Sequence, residues 1–333
     1  MAKTKQSKSS AKAKKQKRIV VIGGGTGVFN VLTGLRDYPD YYLTAIVSTA
    51  DNGGSSGVLR EEFGILPPGD IRRALVALSS CSPILAQLFN YRFDSNSSLK
   101  GHSFGNLFIT ALEKITNDFN QAIKEAGNIL AIKGEVIPVS LDNTQLVAKL
   151  ENNEFVIGET NIDVPKHNPE LKIQRVFLSP EAKANPEAIQ AIKSADIIVI
   201  GPGDLYTSII PNFLVKGIKE AIKQSKAKKV YFCNIMTKYG ETNNFTAEDF
   251  YAIIEKYLGK NVIDYFVVNT EKPSQKYLDL YKEEKSDFVS YHQKKMSKWQ
   301  KPKVIFFPLL KKSPLLRHDP KKIASVINKL ARS

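Results

Sequence analysis

The run Ile19-Val20-Val21-Ile22 stops on Gly23-Gly24-Gly25-Thr26-Gly27, and the next apolar residues, Val28, Val31, Leu32 and Leu35, fall at helical spacing. Four adjacent β-branched residues leave no polar face, so the segment suits a strand buried on both sides, as in a parallel sheet. Strand, glycine turn and helix in that order make the opening unit of a doubly wound fold. The glycines let the backbone approach a phosphate, and the helix start offers unpaired N–H groups and a favourable dipole. Val28 stands where a dinucleotide fingerprint has its third glycine, and no Lys-Ser/Thr pair completes a P-loop. The loop therefore supports a nucleotide phosphate without naming the nucleotide, and a glycine turn with no ligand is the competing reading.

The same alternation continues along the chain. Strands are expected at Leu43–Thr49, Ile197–Ile200, Val230–Cys233, Tyr265–Val268 and Val304–Leu309, with helical patterns between them. Such alternation predicts an α/β fold with a doubly wound, mostly parallel sheet. Residues 136 to about 180 read instead as short strands joined by turns. They are taken as a β-rich insertion in one domain spanning residues 18–330. Near the end, Asp319 is placed as an N-cap before Pro320, which suits a first helical turn.

Composition decides what surrounds that domain. The 333 residues carry a net charge of +15, and 42% are hydrophobic, enough for a sizeable core in one large domain or two. Residues 1–18 hold seven lysines and Arg18 with no acid, so this stretch alone supplies +8. Its Lys/Ser/Ala/Gln composition cannot build a core, and residues 1–17 are expected to form a disordered basic tail. The tail is either a solubilising extension or an anchor for nucleic acid or another polyanion through counterion release. Cys81 and Cys233 are too few and too far apart for a disulfide framework or zinc site, and both are expected to be buried reduced thiols. No apolar run is long enough to cross a bilayer, so a soluble, cytoplasmic protein with no membrane partner is expected.

Candidate site residues gather in loops that follow strands. Asp51 opens Asp51-Asn52-Gly53-Gly54-Ser55-Ser56-Gly57, a polar loop at the carboxyl edge of the sheet, where doubly wound folds hold ligands. Asp70, Arg72 and Arg73 open a further helix. Asp70 is either an N-cap or a site carboxylate, and an arginine there opposes the helix dipole unless it clamps an anion. Gly101-His102-Ser103-Phe104-Gly105-Asn106 precedes an apolar helix, with His102 as candidate acid, base or phosphate donor. A second phosphate-type loop, Gly201-Pro202-Gly203-Asp204-Leu205-Tyr206-Thr207, follows the strand Ile197–Ile200. Asn234 and Thr237 follow a later strand. Arg317 is either a cation for the site or part of a helix start. Thr246 and Asp249 make a structural capping box. The usual metal-ligand spacings and catalytic triad orders are missing from the sequence.

Taken together, Gly23 to Gly27, Ala50 to Gly57, Pro67 to Arg72, Gly101 to Asn106, Gly201 to Asn212 and Leu316 to Asp319 resemble the CofD-like family, and within it the gluconeogenesis-factor branch. The resemblance implies a Rossmann-like three-layer sandwich. It implies one of two activities: a regulator of carbon metabolism, cell envelope and cell shape that binds a UDP-N-acetylglucosamine-like nucleotide sugar, or a 2-phospho-L-lactate transferase using a nucleotide-linked donor and magnesium. It further implies that Gly24, Gly25, Thr26, Gly27 and Asn234 line the nucleotide, and that Asp51, Asp70, His102, Asn106, Gly203 and Thr207 share the cleft. Asn52, Ser55, Arg72, Gly201, Asp204, Thr237 and Arg317 complete the expected ligand set. Asp51, Asp70 and His102 are the candidates for catalysis, and Asp51 and Asp70 for any metal. The branch usually has a second aspartate where this chain has Asn52, which weakens the case for magnesium, since hard cations prefer anionic oxygens. A homo-oligomer and an unidentified protein partner are also expected.

Overall fold

The computed structural model describes residues 16–333 apart from Ser95, Asn96, Lys312 and Pro314, so most of the basic tail lies outside the described residues. Seven strands form one parallel sheet: β1 (Lys17–Gly23), β2 (Tyr41–Val47), β3 (Glu135–Pro138), β7 (Ile197–Ile200), β8 (Lys228–Phe232), β9 (Tyr265–Asn269) and β10 (Lys303–Phe307). Their order is β10-β9-β8-β7-β1-β2-β3. Every neighbouring pair runs parallel. The remaining strands, β4 (Gln145–Leu150), β5 (Phe155–Ile157) and β6 (Ile173–Ser179), make a separate antiparallel sheet in the order β5-β4-β6.

The opening strand shows why the run at residues 19–22 has no polar face. Ile19 and Val21 point into one core with Leu32, Leu35, Ile71, Leu75 and Ile327, while Val20 and Ile22 point into a second with Ile192, Ile222, Phe250 and Ile254. Alternate side chains leave opposite faces of a strand, so a sheet covered on both sides consumes every position. One cover includes α1 (Gly25–Leu35), α3 (Gly69–Leu78) and the C-terminal helix Pro320–Arg332. The other includes helices Pro186–Ser194, Ile218–Gln224 and Ala247–Leu258 and the small sheet, whose Leu146, Ala148, Leu150 and Val176 are buried there. This is the expected doubly wound α/β sandwich.

Several boundaries differ from the sequence reading. Lys17 already pairs with Tyr41, so it belongs to β1 and not to the tail, whereas Arg18 lies in the domain as expected. Residues 135–138 join the main sheet beside β2, so the inserted antiparallel sheet begins only at Gln145. The Ser55-Ser56 stretch is not loop but the first turn of α2 (Gly54–Phe63). Cys233 is buried, whereas Cys81 is partly exposed; both are free thiols. Asp319 caps the last helix through Lys321 and Lys322, and Thr246 with Asp249 forms the capping box. Among the described residues, no helix is long and apolar enough to cross a membrane.

Candidate functional site

Strand order reverses at β1: the chain adds β2 and β3 on one side and, after the insertion, β7 to β10 on the other. The helices that follow β1 and β7 therefore cover opposite faces of the sheet, and the crevice at such a point is where open α/β folds take ligands. A cleft of about 470 Å³ lies there, lined by both glycine loops and by residues of the second and third helices. The two loops touch. A Cβ on Gly27 would lie 1.7 Å from the Pro202 carbonyl oxygen, so only glycine permits this approach.

Four helices begin at the cleft: α1 with Gly25 and Thr26, α2 with Gly54 and Ser55, α3 with Gly69 and Asp70, and the helix Phe104–Thr116 with Asn106. In the first three the N-cap residue offers no side-chain cap. Asp70 does not cap its own helix, whose N-cap is Pro68. Its carboxylate instead accepts the N–H of Gly25 at the start of α1 and sits so close to Gly24 that a Cβ there would be 2.4 Å away. Asp51 accepts from the Gly53 N–H at 2.8 Å, and a Cβ on Gly69 would lie 2.9 Å from its other oxygen.

The inserted segment closes one wall. Its short helix Glu159–Asp163 contributes Glu159, Thr160 and Asp163. Asn52 holds this wall in place by accepting the Thr160 N–H at 2.9 Å. Burial raises Asp70 to about 6, assisted by Asp51, although Arg73 pulls in the opposite direction. Burial and then Asp51, Asp163 and Asp70 raise Glu159 to about 9, so this acid carries its proton at neutral pH. The cleft is thus less negative than its carboxylates suggest, which removes an obstacle to an anionic guest.

Three arginines line the cleft as well. Arg72 is 6% exposed and donates through Nε to Asn106 at 3.0 Å, with Phe89 O and Asn90 on its Nη1; desolvation lowers it to about 10, leaving it charged at neutral pH. Arg73 pairs with Asp70 at 3.5 Å, and Arg92 donates to the Gly101 carbonyl. In the second loop the helix begins as a π-helical turn, Leu205–Ile209, whose Tyr206 N–H and Thr207 hydroxyl are both held by the buried Glu241. Pro211 lies in the first turn of the short α-helix that continues it, Ile210–Leu214.

Of the residues expected at the ligand, Gly24, Gly25, Thr26, Gly27, Asp51, Ser55, Asp70, Arg72, Asn106, Gly203, Asp204 and Thr207 line one cleft. The others do not. Asn52 faces the insertion, and His102 stands behind Ser55, its Nδ1 3.2 Å from the hydroxyl that Asn106 also contacts. Gly201 lies beneath the loop against Ile209, and Thr237 is bonded to the backbone of Asp287 in both directions. Asn234 follows β8 with no partner on its Oδ1, and Arg317 is exposed beyond it. Neighbouring His318 is buried against the Cys233 carbonyl at 2.9 Å. Sequence reasoning missed Glu159, Thr160, Asp163 and Arg92, which no local motif marks. A larger cavity, about 940 Å³, lies at the opposite end of the strands by Arg18, Tyr42 and Glu135, away from both glycine loops.

A doubly wound α/β protein with a ligand crevice at its switch point defines the class. The CofD family, described as 2-phospho-L-lactate transferase CofD, matches residues 19–310, and this chain belongs to it. A relative from Halalkalibacterium halodurans called "Gluconeogenesis factor" is 44% identical over 94% of this chain and 96% of its own length. One of the same name from Bacillus subtilis is 40% identical over 93% of this chain and 96% of its own. The crystal structure of a UPF0052 family protein from Bacillus halodurans shares the fold with a TM-score of 0.89 at 42% identity, covering 95% of this chain and all of that one.

Proposed function

We propose that this chain is a gluconeogenesis factor whose cleft binds a nucleotide sugar of the UDP-N-acetylglucosamine type, and that it acts in the cytoplasm as a regulator of carbon metabolism, cell envelope and cell shape. The observation that carries the reading is the convergence of four helix starts on one crevice at the switch point. Positive dipole ends, two of them at α2 and α3 without a side-chain cap, suit a diphosphate. The glycines of both loops leave room for it, and the carboxylates beside the helix starts suit the hydroxyls of a sugar. The relatives at 40–46% identity carry the name gluconeogenesis factor, which supports that part of the reading. Regulation requires that ligand shift the protein between states a protein partner distinguishes, since equal affinity for both shifts nothing.

Asp51 and Asp70 favour a second reading, a transferase of the 2-phospho-L-lactate type. Magnesium usually keeps one or two protein carboxylates and takes its other ligands from water and substrate phosphates. Asp51 and Asp70 would fit that role, with the metal offsetting charge on the donor's diphosphate and leaving Asp70 ionised. The basic residues 1–15 could add affinity for nucleic acid or another polyanion, recognised by a steep fall with salt. Calorimetric titration with UDP-N-acetylglucosamine, GDP and NAD, each with and without magnesium, separates these readings. Uridine-sugar binding indifferent to magnesium supports the regulator, and magnesium-dependent preference for the guanine nucleotide supports the transferase.

A further inference from the structure

At the rim of the cleft three carboxylates from three distant segments meet. Asp163 comes from the insertion, Asp204 from the second glycine loop and Glu241 from the turn after β8, and their nearest oxygens lie within 4.8 Å of one another. Among the described residues no other group of three acids, histidines or cysteines converges in this way. Carboxylate oxygens so arranged are the donor set of a hard divalent cation. Here the space between them is taken. The Lys238 ammonium lies 3.0 Å from Asp204 and 3.1 Å from Glu241 and in closer contact with Asp163.

We propose that Lys238 is a resident cation standing where a divalent metal would otherwise bind, so that this chain fastens its insertion to the second glycine loop without metal. An ammonium has three N–H donors and no acceptor, and here each donor has one carboxylate. The need for a cation is set by Glu241, whose side chain is fully buried and holds Tyr206 N–H and the Thr207 hydroxyl in place at 3.3 Å. A buried carboxylate left without its counter-charge is strongly destabilising. One positive charge among three carboxylates still leaves an excess of negative charge. Removing the ammonium leaves three carboxylates around a space without its cation, and a divalent ion can take that space by displacing any proton they hold.

The test uses manganese alone, without nucleotide, so its outcome does not depend on the identity of the cleft ligand. Free Mn²⁺ is followed by electron paramagnetic resonance during titration of the wild-type protein, Lys238→Met, Lys238→Arg and Lys238→Met/Glu241→Gln. Lys238→Met is expected to gain one Mn²⁺ per chain relative to wild type, with a Kd on the order of 0.1 mM. Lys238→Arg, which keeps the charge, gains none, and the double variant loses the new site. Weak binding at Asp51 and Asp70 would be common to all four and cancels. If Lys238→Met does not fold, Lys238→Gln, which can still donate to a carboxylate, gives the same readout. The proposal is overturned if wild type already binds as many Mn²⁺ ions per chain as Lys238→Met. It is equally overturned if neither neutral variant gains a site, or if the gained site survives Glu241→Gln.

Discussion

Gly27→Ala sets two effects of opposite sign against each other. Gly27 lies in the first turn of α1, where replacing glycine by alanine ordinarily gains up to about 1 kcal/mol of helix propensity. The new methyl group would sit 1.7 Å from the Pro202 oxygen, 2.4 Å from its carbon and 3.0 Å from the Gly203 nitrogen. All three atoms are backbone, so no side chain can swing aside, and one loop must retreat by roughly 1.5 Å to restore a normal contact. Overpacking costs typically 1–3 kcal/mol, and a rigid backbone neighbour puts this case at the upper end. The net expectation is a loss of about 2 kcal/mol, together with weaker binding of the proposed nucleotide sugar, because the two glycine loops that line the cleft separate. Urea unfolding reports it through Trp299, the single tryptophan, which packs on Tyr251 and Phe266. Gly54→Ala is the control: its φ of +43° carries strain, but no atom lies within 4 Å of the added methyl. Gly54→Ala should cost less and leave the loop contact intact. An unchanged or raised urea midpoint for Gly27→Ala would show that the loops do not meet as described.

Further expectations concern charge. Glu159 is raised from 4.5 to about 9, so its folded form holds a proton that the unfolded chain has released; stability is highest below pH 4.5 and declines as pH rises towards 9. Glu159→Gln should remove that slope from a series of denaturant titrations and raise stability at pH 8 by about 1–3 kcal/mol, whereas an unchanged slope would place Glu159 outside the cluster. His318 has the opposite sign. Burial lowers it to about 4, so it stays neutral while unfolded histidine protonates, and its contribution is lost as pH falls from 6.5 to 4. His318→Gln should flatten that acid limb in the same titrations. Asp51→Ala should weaken nucleotide-sugar binding in calorimetry by about tenfold, one good hydrogen bond to a charged group; unchanged affinity would remove Asp51 from the site.

The parts legible in the sequence were those written in adjacent residues. The β-branched run at 19–22 and the glycines after it require no partner to be recognised, and neither does the capping box at Thr246. Asp70 was ambiguous because a carboxylate in a first helical turn usually serves its own helix, and only the crossing of α3 over α1 turns it to Gly25. Asn52 and His102 match the motif in spacing, but their side chains contact Thr160 and Ser55 behind the cleft lining, which spacing alone does not reveal. Glu159, Asp163 and Lys238 carry no motif at all. Glu159 and Asp163 reach the rim on the helix that follows β5, and Lys238 meets Asp163 there from the loop after β8, a long-range contact that periodicity does not encode.

Hydrogen exchange with and without UDP-N-acetylglucosamine tests the central claim most directly. The account predicts slowed exchange at the amides of Gly25 to Gly27, Gly54 to Ser56 and the start of α3, with the insertion helix Glu159–Asp163 slowed as its wall closes. Protection confined to the larger cavity by Arg18, Tyr42 and Glu135, or none anywhere, would contradict it.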